Sequence, residues 1–265
     1  VENGRLNLQD PLGKFFPDVP EDKARITLHQ LLSHSSGISE YTGNDYHYIN
    51  EQDFLEDVFD RDLSNTPGTK FEYANVGYSL LGIVIERVSG QTYEAYLKAH
   101  IFEPAGMKAT GYLLPNWSQF QIVKGYQGRS LWGTSLERWR EDGGVSWHLK
   151  ANGGLLSTLN DLVKWYDALL NNRLLSGSNT QLMYARHIPV KDGMYYGYGW
   201  RDFQLADKQT LYFHGGTNTV FFNIAMLFKQ QDNSLLLFMN NSASNDIYVM
   251  PRHFMKMATD ASYNP

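Results

Sequence analysis

Residues 76 to 88 carry the apolar spacing of a buried helix. Apolar side chains recur three or four positions apart, at Val76, Leu80, Ile83, Val84 and Val88. Gly90 suits the end of this helix and Asn75 suits its N-cap. Tyr73 and Asn75 therefore lie on a short connection anchored to a core helix, which is a firm support for a functional site. Taken alone, these two residues are more typical of an ordinary turn.

The composition excludes several classes of protein. With 265 residues and 42% hydrophobic content, the chain can bury the core of one large domain or of two closely packed sub-domains. A net charge of −5 without basic runs argues against nucleic acid and anionic membranes as partners. The lack of cysteine excludes disulfides and thiolate catalysis. No apolar run approaches the roughly 20 residues of a transmembrane helix.

Helical patterns fill most of the chain, and short β-rich runs fill its last third. We expect helices at 28–33 and 50–59, after Thr92, and after Thr158, which forms a capping box with Asp161. The β-rich runs lie at 195–200, 210–213, 221–228 and 235–239. They predict an antiparallel meander, covered by a final helix around 253–258. This order predicts an α+β fold.

We interpret residues 1–265 as a single domain, mainly helical over about 26–190 and sheet plus C-terminal helix over about 191–265. Its first residues, 1–6, have the pattern of a helix end and the following turn. We therefore expect the domain to be incomplete at its N-terminus.

Residues 111–150 are irregular and rich in glycine and tryptophan. The tryptophans of this stretch are Trp117, Trp132, Trp139 and Trp147. Such an excursion can line a substrate site, and packing against the body of the protein is at least as plausible.

Two further segments contain residues of the types used in catalysis. Ser33 and His34 are neighbours at a predicted helix end, and neighbouring residues on a helix point in different directions. A structural role in the helix-end turn is therefore favoured over a nucleophile–base pair. His214-Gly215-Gly216-Thr217 is predicted as a turn between strands, in which the glycines let the backbone approach a ligand and expose N–H groups.

Together these segments resemble the serine β-lactamase and penicillin-binding-protein superfamily. Its signature is Ser-x-x-Lys, Ser-Asp-Asn and Lys-Thr-Gly. In the class C-like branch of β-lactamases, esterases and D-amino-acid peptidases, the second element becomes Tyr-x-Asn and the third often becomes His-x-Gly. Tyr73-Ala74-Asn75 and His214-Gly215-Gly216 match these two elements. Residues 31–37, 104–107 and 153–158 resemble further landmarks of the branch, in the same order.

The first element of the signature is missing, because no lysine of this chain has a serine three residues before it. The resemblance places the nucleophile and its lysine on a central helix upstream of Val1. The chain is then part of a longer or cleaved protein, or a degenerate relative. We expect Leu80, Ile83 and Val84 to face that absent helix. A missing segment or a second chain would then fill the gap, because leaving such a face open costs several kcal/mol at about 25 cal/mol per Å².

The resemblance implies a role for each matched residue. Tyr73 is the acid/base partner, and Asn75 holds the absent lysine and contacts the amide of the acyl group. The N–H of Thr217, in the predicted turn with Gly215 and Gly216, forms an oxyanion hole together with the N–H of the missing serine. His214 replaces a lysine, which weakens recognition of a substrate carboxylate and supplies a little positive charge when protonated.

The implied function is β-lactamase-related serine hydrolysis of an ester, a D-amino-acid peptide or a β-lactam through an acyl-enzyme. This chain alone is expected to be inactive. The implied partner is a small-molecule or peptide substrate, with no cofactor, and the location is periplasmic or secreted if the family's usual export applies. The alternative is a non-catalytic member that binds peptides or peptidoglycan. The Gly-x-Ser-x-Gly of lipases and the His-Glu-x-x-His of metalloproteases are both missing.

Overall fold

A computed structural model describes residues 1–40, 43–191, 193–204, 208–218, 221–228, 235–240, 242–243 and 256. The α-helices of this part of the chain are α1 (Glu21–Ala24), α2 (Leu28–Leu32), α3 (Glu51–Phe59), α4 (Asn75–Ser89), α5 (Tyr93–Leu97), α6 (Glu103–Ala105), α7 (Ser135–Glu141), α8 (Leu159–Leu170) and α9 (Gly177–Tyr184). A π-helical turn, Lys98–Phe102, joins α5 to α6. The strands are β1 (Gly125–Gln127), β2 (Ser130–Gly133), β3 (Ile188–Lys191), β4 (Met194–Tyr196), β5 (Arg201–Gln204), β6 (Thr210–Asn218), β7 (Phe221–Phe228), β8 (Leu235–Asn240) and β9 (Ser242–Ala243).

The long apolar helix predicted after Tyr73 is α4. Its end at Gly90 is as predicted, with a left-handed φ of 72° that glycine adopts without strain. The prediction of Asn75 as N-cap is wrong, since the N-cap is Ala74 and Asn75 is the first helical residue. The Asn75 side chain accepts no bond from the first turn, because its amide donates to Glu40 instead.

The inward face of α4 lies at the centre of the main core. Leu80 and Ile83 are fully buried and Val84 is 1% exposed. The side chains that share this cluster include Leu12, Phe16, Leu31, Phe54 and Trp147. The expectation that Leu80, Ile83 and Val84 face an absent helix is therefore wrong, since other residues of this chain already bury them. Their burial gives no argument for a second chain.

Side-chain caps are present at the starts of several helices. Thr27 begins α2 in a capping box with Gln30, and Asn50 caps α3. Thr158 accepts the N–H of Asp161 at the start of α8. The predicted return bond from Asp161 is not formed, because its carboxylate accepts the N–H of Ala109 at 2.6 Å instead.

The six-stranded sheet has the order β3-β4-β5-β6-β7-β8, and every neighbouring pair is antiparallel. It confirms the predicted meander and the α+β class. The run predicted at 195–200 divides at a turn where Gly199 has a φ of 82°, so that β5 is a separate strand. A small sheet, β2-β1-β9, lies apart from it in the pairing pattern. The helix predicted around 253–258 lies outside the described residues, except for Lys256, which is helical.

The irregular stretch 111–150 packs against the body of the protein. Trp117, Trp139 and Trp147 are each 5% exposed or less. Trp117 and Trp139 belong to one cluster with Tyr112 and Leu136, whereas Trp147 belongs to the main core. Of the two interpretations of this stretch, packing applies to these three tryptophans.

Candidate active site

Tyr73 and His214 lie side by side, although they come from distant parts of the chain. Tyr73 belongs to the turn that precedes α4, and His214 belongs to β6. Their ring centroids are 6.1 Å apart and their planes are inclined by 32°. The tight connection to a buried helix on one side and the sheet on the other hold this pair in place.

The segment from His214 to Thr217 is part of a strand, so the prediction of a turn there is wrong. Each of its residues pairs with β7, from His214 opposite Ala225 to Thr217 opposite Phe222. The two glycines remain paired with β7 because glycine, like any other residue, can adopt an extended backbone conformation. Glycine in a strand interior is uncommon and often marks a close approach by a ligand or another backbone.

The second edge of β6 is open beside this segment. β5 pairs with β6 only from Thr210 to Phe213. Within the part of the chain that the structure describes, no strand pairs with residues 214–218 on the side opposite β7. Gly215, Gly216 and Thr217 are exposed. Unpaired backbone N–H and C=O groups of this kind can receive an extended substrate or an oxyanion.

Arg201 supplies a permanent positive charge beside Tyr73. Its guanidinium carbon lies 5.7 Å from the centroid of the Tyr73 ring and 6.0 Å from that of Phe71. Arg201 begins β5 and pairs with Phe213, the residue before His214. No sequence motif marks Arg201 as a site residue, and its place beside Tyr73 follows from this strand register.

His214 is neutral at physiological pH. Burial of the imidazole, with a smaller effect of the Arg201 charge, lowers the pKa of His214 to about 4. The expectation that His214 supplies positive charge to Tyr73 therefore does not hold at pH 7. A neutral imidazole still offers one donor and one acceptor.

Tyr73 keeps its proton at neutral pH in this structure. Burial raises the pKa of the phenol above its usual value, and the carboxylate of Glu40 raises it further, whereas Arg201 lowers it. The charges of the described residues thus do not by themselves produce a phenolate. A further cation near the hydroxyl is needed for Tyr73 to act as a base.

Asn75 is bound by a carboxylate that the sequence analysis missed. Its side-chain amide nitrogen donates to Glu40 Oε1 at 2.8 Å, and its backbone N–H donates to Oε2 at 3.1 Å. A carboxylate only accepts hydrogen bonds, so the NH₂ group of Asn75 faces Glu40 and Oδ1 faces away from it. Although part of Glu40 is exposed, burial of the carboxyl raises its pKa to about 7.

Ser33 and His34 do not form a nucleophile–base pair. The hydroxyl of Ser33 donates to the carbonyl of His29 at 2.8 Å and lies 2.9 Å from the hydroxyl of Ser35. His34 instead contacts the Tyr73 segment, with its ring centroid 4.2 Å from that of Tyr73. Both residues are buried at the end of α2, in agreement with the structural interpretation.

Neither a metal site nor a membrane span is found in the described part of the chain. No group of three or more His, Cys, Asp or Glu residues there could hold a metal ion. Among the described helices, none combines the length and apolarity needed to cross a bilayer.

The chain is similar to penicillin-binding proteins and related hydrolases. Protein flp of Staphylococcus aureus (strain MW2) is 30% identical over 254 residues, which are 91% of this chain and 49% of that protein. The crystal structure of a penicillin-binding protein from Bacillus halodurans has a TM-score of 0.79 and 28% identity, covering 96% of this chain and 79% of that one. A D-amino acid amidase from Ochrobactrum anthropi SV3, complexed with L-phenylalanine, has a TM-score of 0.74 and 25% identity, covering 92% and 71%.

The chain spans about half of the length, or less, of the curated relatives that it matches first. The similarity nevertheless extends over almost all of the chain itself. The family model for Beta-lactamase matches residues 1–254. The protein belongs to the Beta-lactamase family.

Proposed function

We propose that this chain carries the acid/base and substrate-binding part of a serine hydrolase site, which works through an acyl-enzyme. The observation that carries the proposal is the Tyr73–His214 pair beside the open edge of β6. The substrate is an ester, a D-amino-acid peptide or a β-lactam. The nucleophile is the serine of a Ser-x-x-Lys segment outside residues 1–265, because these residues contain no such segment.

In the proposed reaction, the serine hydroxyl attacks the substrate carbonyl and loses its proton, while the carbonyl oxygen becomes an oxyanion. Backbone N–H groups at the open edge of β6, that of Thr217 among them, bind this oxyanion, an interaction commonly worth about 3 kcal/mol. The tetrahedral intermediate collapses, the leaving group takes a proton, and an acyl-serine ester remains. Water then attacks this ester and releases the acid.

Tyr73 is proposed to move the proton between the serine and the leaving group. Acting as a phenolate at pH 7 requires a downward pKa shift of about three units from 10, roughly 4 kcal/mol. Arg201 already favours the phenolate, whereas burial and Glu40 oppose it. The lysine of the proposed Ser-x-x-Lys segment would supply the remaining positive charge. Asn75, with Oδ1 turned away from Glu40, would hold that lysine.

The neutral His214 favours a neutral substrate over one that needs a fixed positive partner. A lysine at this position would hold a carboxylate as an ion pair, whereas an imidazole with a pKa of about 4 offers only a hydrogen bond. This supports an esterase or D-amino-acid peptidase more than a dedicated β-lactamase. One of the similar structures is that of a D-amino acid amidase, which is consistent with a D-amino-acid substrate.

The second candidate is a non-catalytic protein of this fold that binds peptides or peptidoglycan. The observation that favours it is the lack of Ser-x-x-Lys within residues 1–265. One experiment separates the two candidates: the coding DNA upstream of Val1 and the intact mass of the native protein. A Ser-x-x-Lys segment in the native protein, with turnover of an activated ester, supports the hydrolase. A native protein without that segment supports the binding protein.

A further inference from the structure

His34 lies in an environment that an ordinary surface turn does not require. It lies two residues beyond the end of α2, is 2% exposed and has a φ of 53°. A left-handed backbone is uncommon for residues other than glycine, although histidine adopts it more often than most, as asparagine and aspartate do. Burial of a polar ring also costs free energy unless both nitrogens find partners. The partners of the two ring nitrogens therefore decide what the buried imidazole does at this position.

His34 binds the backbone on both sides of Tyr73. Its carbonyl oxygen accepts the N–H of Glu72 at 2.8 Å, and its ring Nδ1 accepts the N–H of Ala74 at 3.0 Å. Tyr73 thus lies between two residues tied to the same partner. A shift of its backbone would break at least one buried hydrogen bond.

The same ring connects the Tyr73 segment to the sheet. A neutral imidazole has one N–H, and Nδ1 cannot carry it while accepting from Ala74. The proton is therefore on Nε2, which donates to the hydroxyl of Tyr196 at 3.1 Å. Tyr196 belongs to β4, and its ring centroid is 6.2 Å from that of His214. One side chain thus joins both halves of the candidate site.

The ring also packs against the phenol that it positions. Its centroid is 4.2 Å from that of Tyr73, with the planes inclined by 34°, and 5.0 Å from that of Tyr78. Tyr78 is fixed in turn, because its hydroxyl donates to the carbonyl of Leu32 at 2.8 Å. Tyr73 is therefore confined by the ring as well as by its neighbours' hydrogen bonds.

We propose that His34, as the neutral Nε2–H tautomer, is a positioning residue that holds Tyr73 in place beside His214 and Arg201. The inference deepens the proposed function and rests on it for its catalytic meaning. His34 touches no reacting atom in this account, because both ring nitrogens already have partners within the protein. Burial, with smaller effects of His214 and Arg201, lowers its pKa to about 3, so the neutral form persists across the physiological range.

The first test is spectroscopic and uses the unmodified protein. Long-range ¹⁵N–¹H correlation of the histidine rings distinguishes protonated from unprotonated nitrogens. For His34 we expect an unprotonated Nδ1 and a protonated Nε2 from pH 5 to pH 8. The Nδ1–H tautomer, or a charged ring, in this range would overturn the proposal.

The second test compares two substitutions that both tolerate the left-handed backbone. His34→Gly removes the ring, whereas His34→Asn keeps an acceptor near the position of Nδ1. The readout is the titration of the Tyr73 phenol, followed by ¹³Cζ tyrosine NMR and assigned with Tyr73→Phe. The ionisable groups that face this phenol are Glu40, Arg201, the His214 ring and the phenols of Tyr78 and Tyr196. All of them remain in both variants.

In the wild-type 265-residue chain, which lacks the proposed lysine, the midpoint of the Tyr73 titration lies above the usual value of about 10. We expect His34→Gly to lower the Tyr73 midpoint towards about 10, because the Tyr73 ring is no longer held in place and its hydroxyl reaches water. His34→Asn should retain most of the upward shift. A folded His34→Gly protein with the wild-type midpoint would overturn the proposal, as would a His34→Asn protein that behaves like His34→Gly. Neither readout depends on turnover, so a failure of the proposed hydrolysis would be recognised separately.

Discussion

The ring of His214 lies 6.1 Å from the ring of Tyr73, between a strand edge and the turn that begins the central helix. This distance brings an acid/base candidate to residues 214–218 of β6, which pair with β7 but with no described strand on the other side. Five predictions test this arrangement and the packing of the protein around it. Those on catalysis require a form of the protein that also carries the proposed Ser-x-x-Lys segment.

Tyr73→Phe should lower the turnover of an activated ester by about 10²–10⁴, which is the usual effect of losing a proton-transfer group. The melting temperature should change little, since only the hydroxyl is removed. Steady-state kinetics and thermal unfolding measure the two effects. Tyr48→Phe, at an exposed tyrosine, is the matched control. Near-wild-type turnover of the Tyr73→Phe protein would remove this residue from the mechanism.

His214→Lys should favour substrates that carry a free carboxylate. The neutral imidazole, with a pKa of about 4, is replaced by a permanent cation that can pair with the carboxylate. The measurement is the ratio of kcat/KM for a carboxylated and a neutral substrate, with His100→Lys on an exposed face as control. An unchanged ratio would mean that residue 214 does not face the substrate.

Glu40→Gln should reduce the dependence of protein stability on pH. Burial raises the pKa of Glu40 from its ordinary value of 4.5 to about 7, so the folded protein binds this proton more tightly than the unfolded chain does. Its contribution to stability is therefore fully present below about pH 4.5 and is lost as the pH rises through 7. Glutamine stays neutral throughout and removes this loss.

Chemical denaturation at pH 4.5, 6 and 8 provides the measurement for Glu40→Gln. Glu56→Gln, on the exposed face of α3, controls for the removal of one negative charge. If the wild-type and Glu40→Gln proteins lost the same stability between pH 4.5 and pH 8, the carboxyl of Glu40 would not be desolvated as described.

Asp161→Asn should destabilise the protein by about 2 kcal/mol, the usual scale for a hydrogen bond to a charged group that is lost in the interior. The buried carboxylate accepts from the Ala109 N–H at 2.6 Å, the Thr110 hydroxyl at 3.0 Å and Lys164 at 2.9 Å. Burial alone would raise the pKa of Asp161, but these bonds together lower it. Its contribution to stability is therefore present above the ordinary pKa of 3.8 and is lost as the pH falls.

Asp167→Asn on the same helix is the control for Asp161→Asn. The Asp167 side chain is 57% exposed and pairs with Arg173 at the surface, so its replacement should change the free energy of unfolding by less than about 1 kcal/mol. Urea denaturation at pH 7 compares the two. Equal effects of both substitutions would contradict the role assigned to Asp161.

Sequence patterns predicted the helices and the meander because both kinds of structure depend on residues that are close to one another in the chain. Apolar spacing indicated α4, the helical pattern at 28–33 indicated α2, and the β-rich run at 221–228 indicated β7. β5 was missed because the four residues Arg201–Gln204 are largely polar and follow a turn. The glycines at 215 and 216 suggested a turn, and only the pairing with β7 shows that they continue a strand.

For the candidate site, motif resemblance identified Tyr73 and His214, but it did not identify what surrounds them. Arg201 reaches Tyr73 through the register of β5 on β6, and Glu40 reaches Asn75 from a loop. The role of His34 depends on a tautomer and on a contact with Tyr196. The contacts of Arg201, Glu40 and His34 join residues that are distant in the chain and close in the folded protein. The spacing of residues along the sequence therefore does not predict them.

The main proposal is that Tyr73 and His214 act with a nucleophilic serine that lies outside residues 1–265. Covalent labelling of that serine is the most direct test. A fluorophosphonate probe and a fluorescent penicillin are applied to the 265-residue chain and to the native protein, and labelled peptides are identified by mass spectrometry. We expect no labelled serine within residues 1–265 and, in the native protein, a label on the serine of Ser-x-x-Lys. A labelled serine within residues 1–265, at Ser33 or Ser35 for example, would contradict this proposal.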